Sequence, residues 1–303
     1  MWFKNLVVYR LPADWSVSAA QLEEQLALRS LQPCGAFDMM SRGWTFPSSA
    51  QRYVHTTNGQ HLIALGVEEK LLPASIIRQV AADRAKELEA QQGYPVGRRQ
   101  MRELKERVTE ELRGRALTRR RMTRAWIDPV NSWLVVDAAG DSRAEELVEA
   151  LRDALGSLPV QLLETERSPS MSMASWLMLG DAPQKFVIDQ DLELQAADKS
   201  KATIRYSRHP LEGKEIRAHL SAGMYVTKLG LTWNDRVSFV LTEKLQIKRI
   251  EFLGVADKQE MESEIDAEEQ FDLDFTLMAG ELARLLAQLS EVLGARAAQQ
   301  AAA

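Results

Sequence analysis

Six arginines crowd into the twelve residues Arg113-Gly114-Arg115-Ala116-Leu117-Thr118-Arg119-Arg120-Arg121-Met122-Thr123-Arg124. A guanidinium is permanently charged and presents a planar fork of donors that matches phosphate oxygens, so the chemistry this stretch offers is polyanion binding. The run ends a longer cationic segment. Between Arg98 and Arg124 there are eleven Lys/Arg against four Glu, a net of +7 in a chain whose total is −5, so the remainder carries −12. A polyanion responds to the local potential rather than to the average charge. The plain alternative is a solvated helical face, but an unbalanced, arginine-rich run favours the binding reading.

Catalytic chemistry finds less support. Glu268, Glu269, Asp272 and Asp274 could hold Mg²⁺ in a nuclease, since two-metal sites need clustered carboxylates. They belong to a stretch of nine carboxylates and one Lys from Asp257 to Asp274, which reads more simply as a solvated helix start. Asp189 and Asp191 read the same way. The four histidines (55, 61, 209, 219) lack metal-ligand spacing, and the single cysteine, Cys34, has no partner for a disulfide or a zinc site. No G-x-S-x-G elbow, P-loop or G-x-G-x-x-G is present. The expectation is a protein with no catalytic residues, no metal and no cofactor. Arg208-His209 is a second place where a phosphate could be met.

Placing these residues requires the elements around them. The start, Trp2 to Arg10, alternates and stops at Pro12, so it reads as a buried strand. Ser16 or Ser18 caps a short helix bearing Leu22, Leu26 and Leu28. Strands are expected from Gly35 to Phe46 and from Tyr53 to Val67, with Asn58-Gly59 as a hairpin turn. Pro73 opens a helix with Ile77, Val80, Ala81 and Leu88 inward, and Gly93-Tyr94-Pro95 breaks it. A second helix from about Val96 puts Met101, Leu104, Val108 and Leu112 on one stripe. Arg98, Arg102, Lys105 and Arg113 fall on the neighbouring stripe, so a helical hairpin carries a basic flank.

Strand signals return at Ala125–Asp128 and Trp133–Asp137. A helix follows from Ser142 to Leu155, then a strand over Pro159–Leu163. Met224–Trp233, Val237–Leu241 and Leu245–Phe252 read as a β-meander, followed by an apolar-striped helix from Phe275 to Leu293 interrupted by Gly280. Trp126 and Trp133 read as core, and the tail from Ala295 as fraying. The fold class is α+β: a central mixed α/β domain in two halves (1–74 and 125–165), an inserted helical-hairpin tip (75–124) and a C-terminal meander-plus-helix domain (166–303). No run approaches the ~18 apolar residues of a membrane span, and the lone cysteine fits a reducing cytoplasm.

An ordered set of short motifs carries a resemblance. Trp2-Phe3-Lys4-Asn5-Leu6, Pro33-Cys34-Gly35, Gly43-Trp44, Glu68-Glu69-Lys70-Leu71-Leu72-Pro73, Trp126-Ile127-Asp128, Gly156-Ser157-Leu158-Pro159-Val160, Val226-Thr227-Lys228-Leu229 and Met278-Ala279-Gly280-Glu281-Leu282 follow one another in collinear order. Together they resemble the RdgC family of recombination-associated proteins of Gram-negative bacteria, from end to end. The resemblance implies horseshoe subunits closed into a ring-shaped homodimer, with double-stranded DNA passing through a basic hole without sequence preference. It further implies association with the nucleoid, restraint of the RecA recombinase by occupying DNA, and no enzymatic activity. The hole lining would map onto Arg113, Arg115, Arg119, Arg120, Arg121 and Arg124. Near the ring's gate the family pattern has an aromatic residue where this chain has Leu117, and Lys-Gln where it has Arg208-His209. The cationic role carries over to Arg208; the aromatic role does not carry over to Leu117. Two other readings stand beside this one: an adaptor that meets an acidic protein through the arginine segment, and a metal-dependent nuclease using the C-terminal carboxylates. Single-stranded DNA is a further possible ligand.

Overall fold

The computed structural model describes residues 2–12, 14–254 and 266–294. Two compact units emerge, one of residues 1–25, 46–63 and 123–303 and one of residues 26–45 and 64–122. The elements in chain order are β1 (Leu6–Arg10), α1 (Ala19–Ala27), β2 (Met40–Thr45), β3 (Val54–Thr57), β4 (Gln60–Lys70), α2 (Ala74–Gln92), α3 (Arg98–Arg115), β5 (Thr118–Asp128) and β6 (Trp133–Asp137). They continue with α4 (Asp141–Leu155), β7 (Gln161–Leu162), α5 (Pro169–Leu179), β8 (Phe186–Ala196), β9 (Thr203–Tyr206), α6 (Lys214–Ser221), β10 (Met224–Trp233), β11 (Val237–Thr242), β12 (Ile247–Phe252) and α7 (Ala267–Leu293). The architecture is α+β, and every ladder between named strands is antiparallel where its register is defined.

In the larger unit, β1 is apolar on both faces because it is a central strand. It pairs with β6 from Leu6↔Asp137 to Arg10↔Trp133, with β12 at Leu6↔Ile247, and with β7. The expected meander is present: β10 pairs with β11, and β11 with β12. Asn234 and Asp235 turn it at φ 51° and 54°, the left-handed conformation that Asn and Asp tolerate better than most residues. Asn58 and Gly59 do the same between β3 and β4, at φ 52° and 75°. The core gathers Phe3, Trp126, Trp133, Val226 and Phe239 with Phe275, Met278, Leu282, Leu286 and Leu289 from α7. Burying each such leucine is worth ~1.5–3 kcal/mol, so the helix is held by its apolar stripe.

In the smaller unit, β2 pairs with β4 from Met40↔Glu69 to Thr45↔Ala64, and α2 and α3 form the helical hairpin. Ala81, Ala85, Leu104 and Val108 are the buried residues of the two helices, two of them small enough for close approach. Gly93 ends α2 at φ 77°, its N–H donating to the Glu89 carbonyl at 2.9 Å. Gly43 has no freedom to be anything larger: a Cβ there would sit 2.5 Å from the Leu31 Cα.

Of the two serines offered as a cap, Ser18 caps α1, exchanging hydrogen bonds with Gln21 in a capping-box arrangement. Other expectations are corrected. Leu22 and Leu26 are buried, but Leu28 lies just past the helix and is 75% exposed. Ile77, Val80 and Leu88 are only half-buried. The strand expected from Ala125 begins at Thr118, so the Arg119–Arg121 cluster lies on an extended strand beside β4 rather than on a helical flank. The Pro159–Leu163 strand shrinks to two residues. The last helix starts at Ala267, capped by the Asp266 side chain, and runs through Gly280 without a break. Residues 257–265 of the acidic run and the tail from Ala295 lie outside the described residues. No described helix is long and apolar enough to cross a membrane.

Candidate nucleic-acid interface

The basic segment uses two kinds of scaffold. On α3, Arg98, Arg99, Arg102, Lys105, Arg107 and Arg115 are exposed. Arg99 pairs with Glu103 and Arg102 with Glu106, each at 3.1 Å and four residues along the helix. Exposed helical pairs of this kind are worth only ~0.3–0.5 kcal/mol, so a phosphate can displace the carboxylate at little cost. Arg113, at the end of the helix, instead turns inward and donates from Nη1 to the Phe37 carbonyl at 3.1 Å.

On β5 the arginines meet carboxylates of β4. Arg119 donates from Nε to Glu69 at 2.9 Å, with a second contact from Nη2 to the same oxygen. Arg120 donates from Nε to Glu68, whose carboxylate also accepts the Cys34 N–H at 3.3 Å. The Arg120 hydrogen bond is the main cause holding the Glu68 carboxyl below the usual carboxylate range, with Cys34 and Thr118 adding to it against the cost of burial. Two of the seven net charges are thus offset across the strands, leaving +5. The side chains of Arg119 and Arg120 nevertheless remain 63% and 68% exposed. A guanidinium has five N–H donors, so an edge of each stays free to meet phosphate while the other is clamped. Arg121 is half-buried. Arg124, in the larger unit, is half-buried too: burial pushes its guanidinium below the usual value, and Asp137 works against that shift.

The second candidate pair lies on the loop after β9, in the larger unit. Arg208 is exposed, with φ 52°, and its N–H donates to Asp191 at 3.2 Å. His209 is exposed, with Nδ1 2.8 Å from the Pro210 carbonyl oxygen and the ring 5.4 Å from Tyr206. Burial pushes the Asp191 carboxyl up, but hydrogen bonds from the Arg208 N–H, Arg249 and Ser207 outweigh it and hold it below its ordinary value. Asp189 accepts from Thr232 at 3.0 Å. These two aspartates therefore brace the sheet. Beside them, Arg205, Lys228, Lys248 and Arg249 line a cleft of about 390 Å³ with Asp191 and Glu193. The sequence pattern did not reveal this cleft, because its cations come from three separate strands, β9, β10 and β12.

The carboxylates offered for a metal site do not converge. Asp272 meets His55 Nε2 at 2.9 Å, Asp274 is buried and accepts from Gln270 at 3.1 Å, and Glu268 and Glu269 are exposed in the first turn of α7. Among the described residues, no group of three or more His, Cys, Asp or Glu is placed to hold a metal ion.

The family model described as "Putative exonuclease, RdgC" matches residues 1–296. A recombination-associated protein RdgC of Dechloromonas aromatica is 50% identical over 297 residues, covering 97% of this chain and 98% of that protein. The chain belongs to the RdgC family. Proteins of the same name from Cupriavidus pinatubonensis and Herminiimonas arsenicoxydans are 49% and 46% identical, over 97% and 99% of this chain and 98% and 100% of their own lengths.

RdgC membership ties the chain to DNA recombination, the process named in its relatives. Leu117, for which the resemblance implied a place near a gate, sits between α3 and β5 and is 78% exposed. Its backbone carbonyl accepts the Leu71 N–H at 2.7 Å.

Proposed function

We propose that this RdgC family member is a sequence-independent DNA-binding protein without catalytic activity, which encircles duplex DNA as a ring-shaped homodimer and limits RecA-type recombinase action there. The observation that carries the reading is the segment from Arg98 to Arg124, with Arg98, Arg102, Lys105, Arg107 and Arg115 exposed and the outer edges of Arg119 and Arg120 available. Cations so arranged neutralise phosphates and release counterions, which gives affinity without reading bases. No recognition-helix or zinc-finger signature accompanies them. The strongly acidic remainder repels DNA elsewhere and steers it to this segment. Arg113, Arg121, Arg124, Arg208 and His209 belong to the same proposed binding set, with Leu117 at the gate. A two-fold ring requires each contact to be isologous, the same patch meeting itself. A cytoplasmic, nucleoid-associated protein follows from this activity.

The test is retention on DNA of different topology. A closed ring loaded on circular plasmid should resist a high-salt wash and be released when the plasmid is cut; equal release from circular and linear DNA would rule out encirclement. The word exonuclease in the family description favours a second reading. Incubation with DNA and Mg²⁺ or Mn²⁺ separates the two: the binding reading expects intact DNA, and cleavage abolished by replacing Asp272 and Asp274 would establish the nuclease.

A further inference from the structure

At one end of the β2–β4–β5 strands of the smaller unit, large apolar side chains stand in water. Phe37 is 87% exposed and Leu117 78%, with Met39, Met40 and Leu71 at 40%, 52% and 45%. They are neighbours rather than scattered residues. The Lys70 N–H donates to the Met39 carbonyl at 2.9 Å, the Leu71 N–H to the Leu117 carbonyl at 2.7 Å, and Met40 registers with Glu69. A contiguous exposed apolar patch marks an interaction surface, whereas single exposed residues do not.

The loop that carries Phe37 is braced from beneath. Lys70 Nζ donates to the carbonyls of Gly35 and Ala36 at 2.6 and 2.8 Å, and Arg113 Nη1 donates to the carbonyl of Phe37 itself. Two cations therefore fix the main chain of a loop whose aromatic ring remains in solvent. The ring stands on a rigid support, so little ordering entropy is lost when something stacks on it. Arg113 contacts the loop directly, and exposed Arg115 and Arg119 follow it closely along the chain, the Arg119 side chain 63% exposed.

An apolar platform with a flat ring and a cationic rim matches one ligand chemistry well: an unpaired nucleobase carried on a phosphate backbone. A paired duplex keeps its base faces stacked inside and offers Phe37 nothing but edges.

We infer that Phe37 is a base-stacking residue, which receives an unpaired base from a DNA strand whose phosphates lie on Arg115 and Arg119. The inference rests on the DNA-binding reading and adds to it a single-strand mode that duplex binding does not need.

The experiment compares the full-length protein with Phe37→Ala and Phe37→Trp by fluorescence anisotropy, using an oligothymidylate and a random duplex, with sedimentation run in parallel. Stacking on one aromatic predicts that Phe37→Ala weakens oligothymidylate binding on the order of tenfold and leaves duplex affinity nearly unchanged. Phe37→Trp should restore single-strand binding and quench a 2-aminopurine placed in the strand. Unchanged oligothymidylate affinity in Phe37→Ala, with duplex binding intact, would overturn this inference alone. Loss of self-association at unchanged DNA affinity would also overturn it and assign the patch to a contact between copies. A wild-type protein that binds neither DNA would overturn both this inference and the functional reading beneath it.

Discussion

Arg120 reaches across from β5 to donate a hydrogen bond to Glu68 of β4, a residue only 4% exposed. A buried carboxylate that loses its cation is left uncompensated, which costs far more than losing a surface pair. Arg120→Ala should therefore lower Tm by at least a few degrees, whereas Arg115→Ala, at an exposed position, should leave it unchanged. The same pair sets a pH dependence. The folded state holds Glu68 below the ordinary carboxylate value, so the unfolded chain takes up the proton first. The stabilisation is complete above that ordinary value and is lost as pH falls through the folded one. Glu68→Gln should remove this component, giving a shallower loss of stability below about pH 4 in thermal melts.

His55 behaves in the opposite chemical sense but with the same sign. Burial is the largest influence and pushes its imidazole down, while Asp272 and Glu268 partly counter it. The ring lies edge-on to Phe271 at 4.8 Å and Phe275 at 5.6 Å, and its Nε2 is 2.9 Å from Asp272. The unfolded chain protonates before the folded one, so stability should fall as pH drops below about 6.5. Urea midpoints across that range should show the fall in the wild type and a flatter profile in His55→Gln. Asp272→Asn, which removes the counter-charge, should make the fall steeper.

Single substitutions on α3 should act through phosphate alone. Arg115→Ala should weaken binding to every duplex alike and reduce the slope of log K against log salt by ~0.9, the loss of one phosphate contact. Replacing Arg119, Arg120 and Arg121 together should weaken all duplexes and leave the proposed dimer intact, but the melting temperature should also drop, because Glu68 and Glu69 lose their ion pairs with Arg120 and Arg119. Equilibrium sedimentation beside the salt titration distinguishes this from an interface role, in which the triple variant becomes monomeric with its DNA affinity unchanged.

Local signals in the sequence were good guides where a few adjacent residues decide the conformation. Asn58-Gly59 and Asn234-Asp235 turn their hairpins because the left-handed backbone is a property of those residues. The α3 stripe was legible because 3.6-residue periodicity separates Leu104 and Val108 from the exposed cations. Less legible was everything that depends on distant partners. The Arg119–Arg121 run has a helix-neutral composition, and only the long neighbouring strand β4 draws it into a strand. Its pairing with Glu68 and Glu69, about fifty positions away in the chain, could not be inferred from charge counting. The segment from Pro169 to Ser221 gave no strong period, yet it folds as α5, β8, β9 and α6. Met173 and Trp176 there are buried against the core, so its order comes from tertiary contacts rather than from propensity.

The central claim is that DNA is held through its phosphates irrespective of sequence. Its most direct test is affinity for two unrelated duplexes of equal length, measured over a series of salt concentrations. The account predicts superimposable binding curves and a steep linear fall of log K with log salt, ~0.9 for each phosphate neutralised. A strong preference for one duplex, or an affinity that does not change with salt, would contradict it.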